Sequence, residues 1–216
     1  MTKYDAVLFD LDGTISDSGE GVRKCIQLMM DDLGKPCPGL SDFSAFIGPP
    51  LTQTFRNLCG LNEDEVARAL PIYRDYYDVY GKTANRLYDG ITDVFTALRE
   101  QGVKTAICTS KNERLARDVV DFLQIGGYFD AVCGSRDDGT RKEKADLIPY
   151  ALHSLGDIPP KRAVLIGDTF YDTRGATATG VDFIGVLYGY GKKELMEEAG
   201  AGIFAATPKD LLNFLL

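Results

Sequence analysis

Two aspartates, Asp10 and Asp12, follow the apolar segment Tyr4 to Phe9, and a glycine and a threonine come directly after them. A single acid at such a place is most often a turn former or a helix cap. Two acids at i and i+2 leave a strand pointing the same way, and they repel each other unless a cation lies between or beside them. The spacing therefore indicates a cation-binding acidic site at the end of the first strand.

A second acidic pair, Asp168 and Asp172, follows the apolar segment Ala163 to Ile166 and leads into a helical pattern. Acids favour the first turn of a helix, so capping is the alternative interpretation of this segment taken alone. Together with Asp10 and Asp12, however, the pair brings four carboxylates to one edge of a parallel sheet. Hard oxygen ligands of this kind suit magnesium, so the sequence predicts a Mg2+ site.

Two further segments carry groups that suit a phosphate. Thr109 and Ser110 close the second predicted strand, where hydroxyls and backbone amides can hold phosphate oxygens, although such residues are usually caps. The basic run from Arg141 to Lys144 precedes a helical pattern, and a lysine there can neutralise a phosphoryl group, although most such runs form a solvated face. The acidic pairs elsewhere in the chain favour the phosphate-binding interpretation of both segments.

The elements that position these residues alternate between short apolar segments and helical patterns, which is typical of a doubly wound parallel sheet. The predicted strands are Tyr4 to Phe9, Val103 to Cys108, Phe129 to Cys133, Ala163 to Ile166 and Phe183 to Leu187. The predicted helices between and after them are Ile91 to Gln101, Glu113 to Gln124, Ala145 to Leu155, Tyr171 to Thr179 and Lys192 to Ala199. We therefore predict the α/β class.

The stretch from about Ser16 to Asn85 contains no convincing strand, but it contains helical patterns over Gly21 to Leu33, Leu51 to Leu58 and Glu63 to Tyr80. We predict an α/β core of residues 1–15 and 86–216 and a helical cap of residues 16–85. Ligands of open α/β sheets bind beyond the carboxyl ends of the strands, so an insertion that leaves the first strand lies above the site. The insertion can act as a lid.

Composition limits the function classes. Apolar residues make up 44% and charged residues 26% of the 216-residue chain, as in a folded globular protein. The net charge of −8 disfavours a nucleic-acid polymer or an anionic membrane as partner, so a small molecule is expected. Five scattered cysteines without a C-x-x-C pair, and a first apolar segment too short for a signal peptide, predict reduced thiols and a cytoplasmic protein. The lone histidine, His153, is interpreted as structural or exposed.

These features occur in the order Asp-x-Asp-Gly-Thr, strand-end Thr/Ser, a lysine before a helix and Gly-Asp-x-x-x-Asp. In this order they resemble the haloacid dehalogenase superfamily, and the resemblance extends over nearly the whole chain. The segments Phe46 to Leu51 and Leu87 to Ile91 are similar to its phosphoglycolate phosphatase-like branch. The resemblance implies a Rossmann-like core with an inserted helical cap of the C1 type. It also implies magnesium-dependent hydrolysis of a phosphate monoester.

The resemblance implies a role for each motif residue. Asp10 is expected to be the nucleophile that forms an aspartyl-phosphate, and Asp12 the general acid and base. Asp168, with Asp10 and the main-chain carbonyl of Asp12, is expected to hold the magnesium ion. Asp172 is expected to support the metal directly or through water.

The expected phosphate-binding residues are Thr109, Ser110 and Lys144. Relatives often carry Lys-Pro-x-Pro before the helix, which this chain lacks, so Lys142 stays open as the alternative lysine. Gly48 and Arg56 are the candidate cap contacts with the substrate, although an arginine on an amphipathic helix is more often a surface residue.

Three small esters fit the predicted chemistry equally well: a phosphoglycolate-like molecule, a nucleoside 5'-monophosphate and a sugar phosphate. Two alternative functions are a phospho-signalling receiver-like module and a phosphomutase of the same superfamily. A receiver carries its phosphorylated aspartate in mid-sequence and lacks a cap, and the mutases carry a histidine shortly after the first motif, where this chain has Ser16 to Glu20. A monomer and a homodimer are both compatible with the sequence.

Overall fold

A six-stranded parallel sheet forms the centre of the protein, whose computed structural model describes residues 3–37, 39–40, 43–136, 138 and 140–216. The strands in these ranges are β1 (Ala6–Phe9), β2 (Ser16–Asp17), β3 (Arg86–Leu87), β4 (Lys104–Asn112), β5 (Ala131–Ser135), β6 (Ala163–Gly167), β7 (Asp182–Val186) and β8 (Phe204–Ala205). The helices are α1 (Gly19–Asp32), α2 (Leu51–Asn57), α3 (Glu63–Tyr76), α4 (Ile91–Glu100), α5 (Glu113–Phe122), α6 (Lys144–Ser154), α7 (Phe170–Thr179), α8 (Lys193–Glu198) and α9 (Leu212–Leu215).

The sheet has the strand order β5-β4-β1-β6-β7-β8, and each neighbouring pair is parallel. Phe9 at the end of β1 lies opposite Ile107 on one side and Ile166 on the other. The chain adds β4 and β5 on one side of β1 and then returns to add β6, β7 and β8 on the other. This is a doubly wound, Rossmann-like sheet, as predicted, and its direction reverses beside β1, where such folds bind ligands.

The two faces of the sheet are packed by different helices, because alternate strand residues point to opposite sides. Val7 and Phe9 join the core that includes α4 and α5, while Ala6 and Leu8 join the core that includes α6 and α7. None of the helices in the described ranges is long and apolar enough to span a bilayer. All five cysteines are free thiols, and Cys108 and Cys133 are buried.

The helical insertion differs from expectation in two places. The prediction that it contains no strand is wrong at its first residues, because β2 pairs antiparallel with β3 where the chain returns to the main sheet. The helix predicted over Glu63 to Tyr80 ends at Tyr76 and continues as a π-helical turn over Tyr77–Gly81. The division into a core and a cap at residues 16 and 85 stays a prediction.

The other predicted elements end close to their observed positions, with β4 as the main exception, while β8 and α9 were not predicted. This strand extends to Asn112, and its register against β5 shifts between Cys108 and Asn112. The extension carries Thr109, Ser110 and Lys111 past the end of the regular ladder. Their side chains can therefore face the edge of the sheet where β1 and β6 also end.

Candidate active site

Three carboxylates meet at the ends of β1 and β6. Asp10 follows β1, Asp168 follows β6, and Asp172 lies in the first turn of α7. One oxygen of each lies within 4.8 Å of the oxygens of the other two, and all three residues are buried. The structure thus brings these predicted site residues together, since neighbouring parallel strands end at the same edge of the sheet.

Lys144 supplies a buried cation to this cluster. Its Nζ lies 2.9 Å from Oδ1 of Asp10 and 2.6 Å from Oδ1 of Asp172, and it donates a hydrogen bond of 2.7 Å to the Cys108 carbonyl. Neither of those carboxylate oxygens accepts a hydrogen bond of good geometry, although both are buried. Lys142, the alternative lysine, is exposed. The geometry therefore places Lys144, and not Lys142, beside Asp10.

The electrostatic state of the cluster follows from burial and mutual repulsion. Burial raises the pKa of Asp10 to about 6, with Lys144 opposing that change and Asp172 adding to it. Burial also raises the pKa of Asp168 well above its ordinary value, and the charges of Asp172 and Asp10 act in the same direction. Desolvation lowers the pKa of Lys144, but the two carboxylates beside it outweigh that effect and raise it. A single ammonium group is too little positive charge for three buried carboxylates.

Asp172 makes two kinds of contact that the sequence could not separate. Its Oδ2 accepts hydrogen bonds from the Thr169 amide at 3.1 Å and the Thr169 hydroxyl at 2.6 Å, which forms a capping box at the start of α7. Its Oδ1 faces Lys144. The capping interpretation and the site interpretation of this aspartate are therefore both consistent with the geometry.

Asp168 is held by groups that sequence reasoning missed. Its Oδ2 accepts hydrogen bonds from the backbone amides of Tyr190 at 2.8 Å and Gly191 at 3.3 Å, and Thr14 donates to its Oδ1 at 3.3 Å. A Cβ on Gly13, whose φ is +82°, would lie only 2.2 Å from Oδ2, so that turn requires glycine. The Gly-Tyr-Gly segment after β7 was the sequence signal for these amides.

Asp12 stands apart from the three-carboxylate cluster and has its own cation. Nζ of Lys111 lies 2.9 Å from its Oδ2 and 3.1 Å from its Oδ1. Asp10, Asp12 and Lys111 line a cavity of about 50 Å3. Thr109 and Ser110 line it too, so the groups predicted to hold phosphate face the same space. Lys111 directly follows the predicted Thr-Ser pair, and sequence reasoning gave it no role.

The chain as a whole is similar to known proteins. The family model described as haloacid dehalogenase-like hydrolase matches residues 7–186. The chain belongs to this family. The hydrolase is 38% identical over 192 residues to a 5'-nucleotidase of Pseudomonas aeruginosa, a match that covers 89% of this chain and 86% of the relative.

Two further similarities extend over almost the whole hydrolase. It is 35% identical to the tyrosine-protein kinase PtkA of Mycobacterium tuberculosis, over 97% of this chain and 72% of the relative. It is also 35% identical to a predicted phosphatase from Clostridium acetobutylicum, whose crystal structure superposes with a TM-score of 0.92 and covers 98% of this chain and 97% of that one. With its family and its site, the hydrolase is a phosphoric monoester hydrolase.

The two candidate cap contacts of the hydrolase lie in different surroundings. Gly48 lines the cavity with Asp10, and its φ of +103° favours glycine. A Cβ there would lie 2.6 Å from Cγ2 of Thr169, so the turn approaches the core closely. Arg56 is not brought to the cavity, because its side chain is exposed on α2 and pairs with Glu63 at 2.6 Å. Its predicted substrate contact has no support in the geometry.

Proposed function

We propose that the hydrolase is a magnesium-dependent phosphatase that cleaves a small phosphate monoester through an aspartyl-phosphate on Asp10. The observation that carries this proposal is the position of Asp10, between the cavity and the buried group formed by Asp168, Asp172 and Lys144. Its carboxylate is backed by a cation on one side and opens on the other to the space that Thr109 lines. A neighbouring cation favours the ionised form of the carboxylate, and the open side lets it reach a substrate, so both features suit a nucleophile.

The residues present fit a magnesium ion. When ionised, Asp10, Asp168 and Asp172 carry three negative charges against the single positive charge of Lys144, and hard carboxylate oxygens are the ligands that magnesium prefers. The buried oxygens of Asp10 and Asp172 without a well-oriented hydrogen bond have the capacity to bind a further partner. Bound magnesium would supply positive charge that shields Asp10 from the anionic substrate and stabilises the charge of the transferring phosphoryl group.

The chain's own residues account for the two chemical steps. In the first, a carboxylate oxygen of Asp10 forms a bond to phosphorus while the ester P–O bond breaks, and Asp12 gives its proton to the leaving oxygen. In the second, Asp12 takes a proton from water, the water oxygen bonds to phosphorus, and the Asp10–phosphorus bond breaks. Lys144 and the Thr109 hydroxyl bind the phosphoryl oxygens during both steps.

The small volume of the cavity favours a substrate with a small leaving group and a lid that moves. At about 50 Å3 it is well below the few hundred Å3 of an ordinary ligand pocket. We propose that residues 16–85 form a cap that opens to admit the ester and then excludes water. The substrate class is a small phosphate monoester, such as a nucleoside 5'-monophosphate, a phosphoglycolate-like ester or a sugar phosphate. The similarity to a 5'-nucleotidase supports the first of these.

The test is phosphate release from a panel of these esters, with and without magnesium, by the wild type and Asp10→Asn. We expect release that requires magnesium and an Asp10→Asn variant that loses it, because an amide is a poor nucleophile. Asp121→Asn, an exposed aspartate on α5, is the matched control and should keep full activity. Magnesium should also stabilise the wild type against unfolding, by about 2.7 kcal/mol at a concentration of 100 times its Kd.

Two results would contradict the proposal. Full activity of Asp10→Asn would show that another group attacks phosphorus. Stoichiometric labelling by acetyl phosphate without continued phosphate release would indicate a receiver-like module instead of a phosphatase.

A further inference from the structure

A buried lysine that no part of the proposed chemistry uses holds both oxygens of Asp12. Nζ of Lys111 donates to Oδ1 at 3.1 Å and to Oδ2 at 2.9 Å, and the side chains of Lys111 and Asp12 are only 8% and 14% exposed. Two hydrogen bonds to one carboxylate fix its plane as well as its position. A surface ion pair would not do this, since solvent competes for both groups.

Lys111 is itself held by the segment through which the helical insertion returns to the sheet. Its Nζ lies 4.3 Å from the centre of the Tyr77 ring, a cation–π contact, and Tyr77 is fully buried in the π-helical turn. Nδ2 of Asn85 donates to the Tyr77 hydroxyl at 3.1 Å, and the Ser16 hydroxyl donates to Oδ1 of Asn85 at 3.0 Å. Ser16 belongs to β2, where the insertion leaves.

A buried polar chain therefore runs from Asp12 through Lys111, Tyr77 and Asn85 to Ser16. It touches both connections between the sheet and the helical insertion. Buried polar networks with satisfied hydrogen bonds restrict the conformations of their members. The position of the Asp12 carboxylate is thus tied to the position of the insertion.

We propose that Lys111 is a positioning residue that aims the Asp12 carboxyl group at the leaving oxygen, with Tyr77 securing Lys111 only while the insertion is docked. This inference rests on the proposed function, in which Asp12 transfers the proton. Lys111 acts through Asp12 and forms no bond to the reacting atoms. After Asp12 gives up its proton, its carboxylate remains opposite the Lys111 ammonium group, so no buried negative charge is left without a partner.

The experiment compares two esters that differ in how much their leaving group needs a proton. An alkyl phosphate releases an alkoxide that must be protonated, whereas p-nitrophenyl phosphate releases a stable phenolate. We expect Lys111→Met to lower kcat/KM for the alkyl ester by about 100-fold or more, the range of general acid–base catalysis, and to lower it for p-nitrophenyl phosphate by less than about tenfold. Lys104→Met, an exposed lysine on the same strand, is the control and should change neither value.

A second variant tests the same proposal if Lys111→Met does not fold. If circular dichroism shows that Lys111→Met does not fold, Lys111→Gln keeps most of the length and a polar end without the charge, and the same difference between the two esters is expected. Tyr77→Leu, which removes the ring beneath Nζ, should show the same pattern to a smaller extent. Tyr77→Phe keeps the ring and should show a smaller difference between the two esters than Tyr77→Leu.

Three results would overturn the proposal for Lys111. An equal loss for both esters would indicate a merely structural role, and unchanged or increased activity would show that Asp12 needs no such support. A rise in KM with unchanged kcat would indicate that Lys111 binds the substrate directly. The proposed function would fail in a different way, through wild-type protein that releases no phosphate or an Asp10→Asn variant that stays fully active.

Discussion

Replacing Lys144 with methionine removes the single ammonium group from a cluster of buried carboxylates and leaves a side chain of similar length. The side chains of Lys144, Asp10 and Asp172 are 2%, 5% and 0% exposed, so water cannot substitute for the lost charge. The Cys108 carbonyl also loses its 2.7 Å donor. The perturbation is therefore the removal of one partner from a desolvated ion group, and not the loss of a surface salt bridge.

Breaking a buried ion pair by removing one partner costs about 3–5 kcal/mol. For a chain of this size each kcal/mol lowers Tm by about 2–4 °C, so we expect Lys144→Met to melt about 6–20 °C below the wild type. Phosphate release should also fall, because the phosphoryl group would lose its buried cation. The double variant Lys144→Met/Asp172→Asn should lose less stability than the sum of the single variants, since the second change removes a charge that the first left unpaired.

The assay is urea and thermal unfolding without magnesium, followed by far-UV circular dichroism. Lys193→Met is the matched control, because Lys193 forms an exposed pair with Glu197 at 3.2 Å, and pairs of this kind contribute about 0.3–0.5 kcal/mol. If Lys144→Met lost no more stability than this control, the claim that the cluster depends on a desolvated ammonium group would be wrong. Additive effects in the double variant would show that Lys144 and Asp172 do not interact.

Two further predictions concern the turn above the site and the far end of the sheet. Gly48→Ala should lower the free energy of unfolding, measured in urea, by about 1–3 kcal/mol, because alanine is strained at the positive φ of this position. The loss should be larger than for Gly102→Ala, because Gly102 also has a positive φ but has open space around it. Burial tends to raise the pKa of Asp130, but hydrogen bonds from Lys104 at 2.8 Å and the Thr105 amide at 2.9 Å keep it below its ordinary value. The stability advantage of the wild type over Asp130→Asn should therefore be present above about pH 4 and disappear as the pH falls through the lowered pKa, which a series of urea unfolding curves would measure.

The sheet was predictable because its signal is local. Each central strand is a short apolar segment followed by a turn and a helix, and the parallel arrangement follows from that alternation. The pair formed by β2 and β3 had no such signal. Each has two residues, and they meet only because the helical insertion between them folds back on itself. The pattern of apolar and polar residues cannot predict a strand pair of only two residues on each side.

The choice between Lys142 and Lys144 shows where the motif stops being informative. Both lysines lie before the same helix, so spacing alone leaves both open. The structure separates them through α7, which packs so closely on the start of α6 that a Cβ on Gly175 would lie 2.3 Å from Cβ of Lys144. Lys144, whose Nζ reaches Asp10 at the sheet edge, lies at this contact, which depends on the packing of two helices. The sequence of either segment alone does not predict this contact.

The acidic pair at Asp10 and Asp12 predicted a cation site at the end of β1, where the structure brings Asp10 together with Asp168 and Asp172. Their repulsion predicted a cation between or beside them, and the structure gives each carboxylate its own ammonium group, with Lys144 beside Asp10 and Lys111 beside Asp12. The electrostatic argument for a metal ion therefore does not come from this pair. It comes from Asp10, Asp168 and Asp172, where three buried carboxylates face one ammonium group and a divalent cation would balance the remaining charge. The two lysines thus separate the Asp10, Asp168 and Asp172 cluster, to which the proposal assigns the metal and the phosphate, from Asp12, to which it assigns the proton transfer.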